Sequence, residues 1–138
     1  MELADTSAWI ISRRVGGEVR ERFDRSLLAG TLVTCDMVRL ELLHSTRSHE
    51  EFRARRRELE LIQACPIGER EWRQAIAVYA ALAERGGLRH RSVKHPDLLI
   101  ASAAESAGYT LLHYDQDYDR ISQITGQPTR WIVPRGSV

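Results

Sequence analysis

Asp5, Glu41, Asp97 and Asp115 are far apart in the chain, yet each stands inside or at the edge of an apolar stretch. Asp5 closes Met1-Glu2-Leu3-Ala4, and Asp115 follows Tyr109-Thr110-Leu111-Leu112-His113-Tyr114. Glu41 lies among Met37, Val38, Leu40, Leu42 and Leu43, and Asp97 precedes Leu98-Leu99-Ile100-Ala101. A carboxylate at the edge of a core is costly unless something neutralises it. Two such charges about 4 Å apart repel by roughly 4 kcal/mol at an effective dielectric of about 20. If the fold gathers these acids, a divalent cation is the simplest neutraliser. Hard carboxylate oxygens suit Mg²⁺ or Mn²⁺, and no cysteine–histidine cluster argues for zinc. Such a centre can lower the pKa of a bound water and polarise a substrate oxygen.

Taken singly, most of these acids also fit a local structural role. Asp5 at a strand end can cap the helix that follows it. Asp97 after Pro96 fits the first turn of a helix, where negative charge is favoured. Asp115 and Asp117 fit a turn and a cap. Glu41 resists that treatment, because neither a cap nor a turn explains a glutamate inside an apolar helix.

The elements that must position the acids follow from hydrophobic period and breakers. Leu3-Ala4 ends a short strand. Ser7 to Arg14 reads as a helix with Trp9, Ile10 and Ile11 on its apolar side. Glu18 to Leu28 is a second helix, with Val19, Phe23 and Leu27 inward. Thr31-Leu32-Val33 is a buried strand, and Thr34 is placed to cap the helix that carries Glu41. Ser48-His49-Glu50-Glu51 has the form of a capping box, opening a helix to Gln63. Its run Arg53 to Arg57 reads as a solvated face. Cys65-Pro66-Ile67 reads as an extended link. Glu69 to Arg85 is a long helix with Trp72, Ile76, Tyr79 and Leu82 expected inward, stopped by Gly86-Gly87. Leu88 to His95 is a basic loop, Pro96 to Gly108 a helix, and Tyr109 to Leu112 a strand. Asp117 to Ile124 is a short helix, and Trp131-Ile132-Val133 a last strand. Alternation of strands and helices predicts an α/β fold with a parallel sheet of four to five short strands flanked by helices. Ligands of such sheets collect beyond the carboxyl ends of the strands, where Asp5 and Asp115 fall.

Composition narrows the class. A length of 138 residues predicts one domain, 1–138, and an apolar fraction of 43% is enough for a core. No apolar run reaches the ~20 residues of a membrane span, and no signal-peptide pattern opens the chain. Cys35 and Cys65 lack metal-ligand spacing and read as buried thiols, so a cytoplasmic protein is expected. Net charge is only +1, against a globally basic nucleic-acid binder. Lys94 is the sole lysine; all other basic side chains are arginine, whose planar fork suits phosphate.

Four motifs, in order along nearly the whole chain, resemble those of PIN-domain ribonucleases. They are Asp5-Thr6-Ser7-Ala8-Trp9 after an apolar start, Thr34 through Glu41-Leu42-Leu43, Pro96-Asp97-Leu98-Leu99-Ile100-Ala101, and Leu111 through Asp115-Gln116-Asp117-Tyr118. Size and placement resemble the VapC toxins of bacterial toxin–antitoxin pairs. The resemblance implies a Mg²⁺-dependent (or Mn²⁺-dependent) endoribonuclease. Its catalytic and metal-binding acids would be Asp5, Glu41, Asp97 and Asp115, with Asp117 as a further metal ligand and Thr6 in support. Within that set, Asp5, Asp97 and Asp115 are assigned as direct ligands, and Glu41 as the holder of a metal-bound water. Arg89, Arg91 and Lys94, beside Asp97, are candidate RNA contacts. The resemblance also implies a VapB-type antitoxin that blocks the site, a homodimer, and structured RNA such as tRNA as substrate. One departure is visible: His113-Tyr114 stands where many relatives carry Thr-Arg, which makes His113 a candidate replacement for a basic helper. The competing reading is a catalytically weak module that binds the antitoxin and serves mainly operator autoregulation.

Overall fold

Leu3 and Ala4, both fully buried, form the centre of the molecule as strand β1 (Glu2–Ala4). Helices α1 (Thr6–Val15) and α2 (Gly17–Leu28) follow, then β2 (Leu32–Cys35), α3 (Asp36–His44), α4 (His49–Glu60) and β3 (Ala64–Cys65). The second half runs through α5 (Glu69–Glu84), a 3₁₀ turn (Arg89–Ser92), α6 (His95–Ala107), β4 (Thr110–His113), α7 (Asp117–Thr125) and β5 (Thr129–Trp131). The structure, a computed structural model, describes residues 1–138.

All strand pairs are parallel, and the sheet order is β3-β2-β1-β4-β5. The chain builds outward from β1 to β2 and β3, then returns to the other side of β1 for β4 and β5. The order therefore reverses between β1 and β4, which leaves a crevice at their carboxyl ends. Register places Ala4 opposite Leu112, and the Asp5 amide still donates to the Leu112 carbonyl at 2.9 Å. Asp5 is thus the last residue held by the ladder before the chain turns into α1.

A single cluster of 26 buried apolar residues joins the sheet to its helices. Helix α6 supplies much of it through small side chains, Ala101, Ala103 and Ala104, which let its backbone lie close to its neighbours. At the sheet edge the Glu2 carboxylate accepts from both Nε and Nη2 of Arg130, at 2.7 and 2.8 Å, a bidentate tie between the two ends of the chain.

Several expectations are corrected. Thr34 does not cap α3: β2 runs on through Thr34 and Cys35, and Cys35 is the residue before the helix, with no side-chain cap bond. Both residues are buried in the strand, so pairing with β3 outcompetes the local cap. Cys65 is a strand residue rather than link, paired with Cys35. Helix α4 stops at Glu60, with Ser48 accepting from the Glu51 amide at 3.0 Å; Glu51 returns to the Arg47 amide, one residue outside the expected box. Ile10 faces solvent. Trp72 and Ile76 point outward, 54% and 66% exposed, while Ala75, Val78 and Leu82 face the core. The last strand lies two residues earlier than expected, at Thr129–Trp131. Cys35 and Cys65 are free buried thiols, and burial pushes them up to about 12 and about 11.

Candidate metal centre

Asp5 divides its carboxylate between two tasks. Oδ2 caps α1, accepting from the Ser7 amide at 2.9 Å and from the Ser7 hydroxyl at 2.5 Å. Oδ1 accepts from the Tyr118 hydroxyl, also at 2.5 Å. The cap reading therefore holds for this residue, and its other oxygen is turned to Tyr118. Ser7 Oγ in turn accepts from the Tyr114 amide at 2.8 Å, which fixes the turn after β4 against the start of α1.

Asp97 enters from the first turn of α6, after Pro96, and is buried. Its Oδ1 lies 3.2 Å from Tyr118 Oη, so one phenol hydroxyl sits between the carboxylates of Asp5 and Asp97. Oδ2 of Asp97 is buried and has no hydrogen-bond partner. Burial, helped by the nearby charges of Asp5 and Asp115, pushes the Asp97 carboxyl up to about 8, and the Tyr118 hydrogen bond only partly offsets this.

Asp115 and Asp117 complete the cluster from the turn between β4 and α7. The Asp117 amide donates to Asp115 Oδ1 at 2.9 Å, an Asx turn that aims both carboxylates to one side. Oxygens of Asp97, Asp115 and Asp117 all lie within 4.8 Å of one another. Burial and Asp115 raise the Asp117 carboxyl, opposed by Arg120, whose Nη1 sits 2.7 Å from Asp117 Oδ1, and by Lys94. Three carboxylates at that spacing, one with a partnerless buried oxygen, are hard donors short of positive charge. The donor set fits a divalent cation of the Mg²⁺ class.

Glu41 is half-buried rather than buried, and accepts from the Thr6 hydroxyl at 2.7 Å. Thr6 thus links it to the residue next to Asp5. His113 is fully buried; desolvation lowers its pKa, and its Nδ1 accepts from the Asp115 amide at 3.1 Å. Its ring packs against Tyr118 and Trp131, and its Nε2 lies 3.9 Å from Asp119 Oδ1, a carboxylate that opposes the lowering. Arg89, Arg91 and Lys94 are exposed on the turn that leads into α6.

Sequence reasoning missed Tyr118 and Arg120. The only signal for Tyr118 was its position in the first turn of a helix that begins with an acid; an aromatic there reads as core, and its ring is core. The hydroxyl acquires its second role only when β1 and α6 are brought to it.

A family model described as PIN domain matches residues 3–124. Ribonuclease VapC18 of Mycobacterium tuberculosis is 46% identical over 134 residues, covering 97% of this chain and 96% of that protein. Ribonuclease VapC21 of the same species is 40% identical over 123 residues, 86% of each chain. Among solved structures, a DNA-bound VapBC from Salmonella typhimurium aligns with a TM-score of 0.75 at 18% identity, covering 96% of this chain and 98% of that one. The chain belongs to the PIN-domain family, among its VapC ribonucleases.

Proposed function

We propose that this chain is the toxin of a toxin–antitoxin pair, an endoribonuclease that hydrolyses RNA phosphodiester bonds at the acids of the β1–β4 crevice, and that a VapB-type antitoxin neutralises it. The observation that carries the reading is the convergence of Asp97, Asp115 and Asp117 within 4.8 Å, with an orphaned buried oxygen on Asp97. Relatives at 46% and 40% identity over most of the chain carry the name ribonuclease, which supports the same activity here.

Divalent-metal dependence fits the donor set, and Mg²⁺ is the ion proposed, with Mn²⁺ as substitute. When bound, the cation supplies a water of lowered pKa and charge to balance the phosphate oxygens. Asp97, Asp115 and Asp5 would hold the cation, with Asp117 as a fourth carboxylate on the α7 side. Asp5 is pre-oriented by its cap bonds to Ser7, so the direction of its carboxylate is set before substrate arrives. Glu41, steadied by Thr6, is the residue proposed to accept a proton from the attacking water. Tyr118 stays protonated, because burial and the two adjacent carboxylates raise it well above its ordinary value, and it acts as a fixed donor between them.

Arg89, Arg91 and Lys94 make no side-chain hydrogen bond or ion pair within the fold, which leaves them available to substrate phosphates. Structured RNA such as tRNA is the proposed substrate class, and residues 1–138 act as one nuclease unit in the cytoplasm. A homodimer is proposed as the assembly, supported by the exposed apolar pair Trp72 and Ile76 on α5. No helix is long and apolar enough to cross a membrane.

The decisive experiment is Asp97→Asn, with retention of fold checked by circular dichroism. Mg²⁺-dependent cleavage of a cellular RNA pool should fall by at least about 100-fold, consistent with loss of a metal ligand, and growth arrest on expression without antitoxin should disappear. Unchanged cleavage would remove the site; tight antitoxin binding by a wild-type chain that cleaves no RNA would favour the autoregulatory module instead.

A further inference from the structure

Beside the acids, the end of α5, the 3₁₀ turn and α7 enclose a cavity of about 420 Å³. Three guanidinium groups line it, those of Arg85, Arg89 and Arg120, and no carboxylate does. Arg85 spends one N–H on the Gln123 carbonyl at 3.4 Å, and Arg89 has no side-chain partner at all. Arg120 spans the wall: Nη1 is 2.7 Å from Asp117 Oδ1 and 3.4 Å from the Ser92 hydroxyl. The rim is strained. Gly86, Gly87 and Leu88 all have positive φ, and Leu88, at φ 56°, is the one non-glycine residue of the chain that does. A leucine held there on an exposed turn has no packing to explain it, since its side chain is 61% exposed.

Converging arginines with spare donors and no acid lining the same cavity favour an anion. Arg120 lines this cavity and contacts Asp117, a proposed metal-ligating acid, so the cavity and the acid cluster share a wall. The geometry points to a subsite for a backbone phosphate of the RNA substrate, near the scissile one, made by Arg85, Arg89 and Arg120, with the Ser92 hydroxyl, which donates to the Arg89 carbonyl at 2.7 Å, bracing Arg120. This rests on the ribonuclease reading and deepens it, since the cavity fixes the direction in which the strand leaves the acids. A single-stranded or splayed segment is the form that fits, as a phosphate must enter a pocket rather than lie along a duplex surface.

The test reads binding rather than cleavage. Full-length chain carrying Asp97→Asn is titrated against a 5′-labelled single-stranded RNA of about 12 nucleotides and mixed sequence, by fluorescence anisotropy, from about 50 to about 300 mM KCl. Adding Arg85→Gln with Arg89→Gln should weaken binding at least about tenfold at about 100 mM, and lower the slope of log K against log salt by about 0.7 for each phosphate that is no longer neutralised. Arg53→Gln with Arg57→Gln, on the exposed face of α4, should change neither by more than about twofold. Arg89→Gln alone, whose side chain has no partner in the fold, should weaken binding about threefold and guards against failure of the double variant to fold. Equal weakening in the α4 control, or none in either cavity variant, overturns the subsite. Weakened binding to an acidic antitoxin peptide with RNA binding intact overturns it too, in favour of a partner site. Failure of the ribonuclease reading is seen separately, as a wild-type chain whose cleavage does not depend on Asp97.

Discussion

At neutral pH the Asp97 carboxyl holds a proton unless a cation takes its place, because its pKa in the fold is about 8 against an ordinary value of 3.8. The folded state therefore binds more protons than the unfolded one between those values. Stability from this group is fully present below about pH 4 and is lost as pH rises through about 8. The metal-free protein should show a denaturation midpoint that falls from about pH 5 to about pH 8.5, and Asp97→Asn should flatten that fall and stabilise the protein at about pH 8 by about 1–3 kcal/mol. A flat wild-type profile in urea melts at several pH values would show that Asp97 is not buried among acids. The same proton competes with the cation, so Mg²⁺ affinity measured by calorimetry should tighten as pH rises towards about 8, by up to about tenfold per unit. Tyr118 offers a second residue-scale test. Tyr118→Phe removes the donor that Asp5 Oδ1 and Asp97 Oδ1 share, leaving a buried carboxylate oxygen unpaired. A destabilisation of about 1–3 kcal/mol is expected in equilibrium urea unfolding without metal, and added Mg²⁺ should recover part of it.

At the scale of elements, what was legible was whatever had a local cause. Pro96 and Gly108 bracket α6, Gly86-Gly87 stop α5, and Ser48 starts α4, each by chemistry confined to a few residues. Asp97 and Asp5 could be placed because their motifs coincide with such punctuation. What was not legible required a partner. Cys65 reads as a link because a two-residue strand has no period of its own, and it becomes strand only beside Cys35. Thr34 reads as a cap because threonine caps helices, but its neighbours in the sheet claim it. Glu41 was expected deep in an apolar helix; Leu40 is 62% exposed, so the apolar run around Glu41 is only partly a core face. The Ser48 cap separates these levels experimentally. Ser48→Ala removes the bond to the Glu51 amide, far from the acids, and should cost about 1 kcal/mol by urea denaturation with RNA cleavage within about twofold of wild type. A cleavage defect larger than its stability cost would mean that α4 feeds the site.

For the molecule as a whole, α5 shows why one face of a helix need not finish the argument. It carries two adjacent apolar stripes: Ala75, Val78 and Leu82 pack inward, and Trp72, Ile76 and part of Tyr79 lie on the flank beside them. The larger side chains were expected inside because size and period favoured them. The structure turns the smaller stripe inward, where Ala75, Val78 and Leu82 join the core, and leaves Trp72 and Ile76 exposed. The larger stripe, with Leu98, Leu99 and His95 of α6, is left around an apolar hollow of about 230 Å³. A wide apolar face on an exposed helix calls for a second neighbour, and the proposed homodimer provides one. Trp72→Glu places a charge in that hollow and leaves every hydrogen bond of the acid cluster untouched. Light scattering after gel filtration should show a dimeric wild type at about 50 µM and a monomeric variant, with the stability of the monomer lower by less than about 1 kcal/mol in urea. Mg²⁺ affinity should be the same in both. A wild type that is already monomeric, with Trp72 fluorescence shifting only when antitoxin is added, would reassign this face to the antitoxin. Equal masses for both proteins with no fluorescence shift would mean that Trp72 and Ile76 stand exposed without a partner.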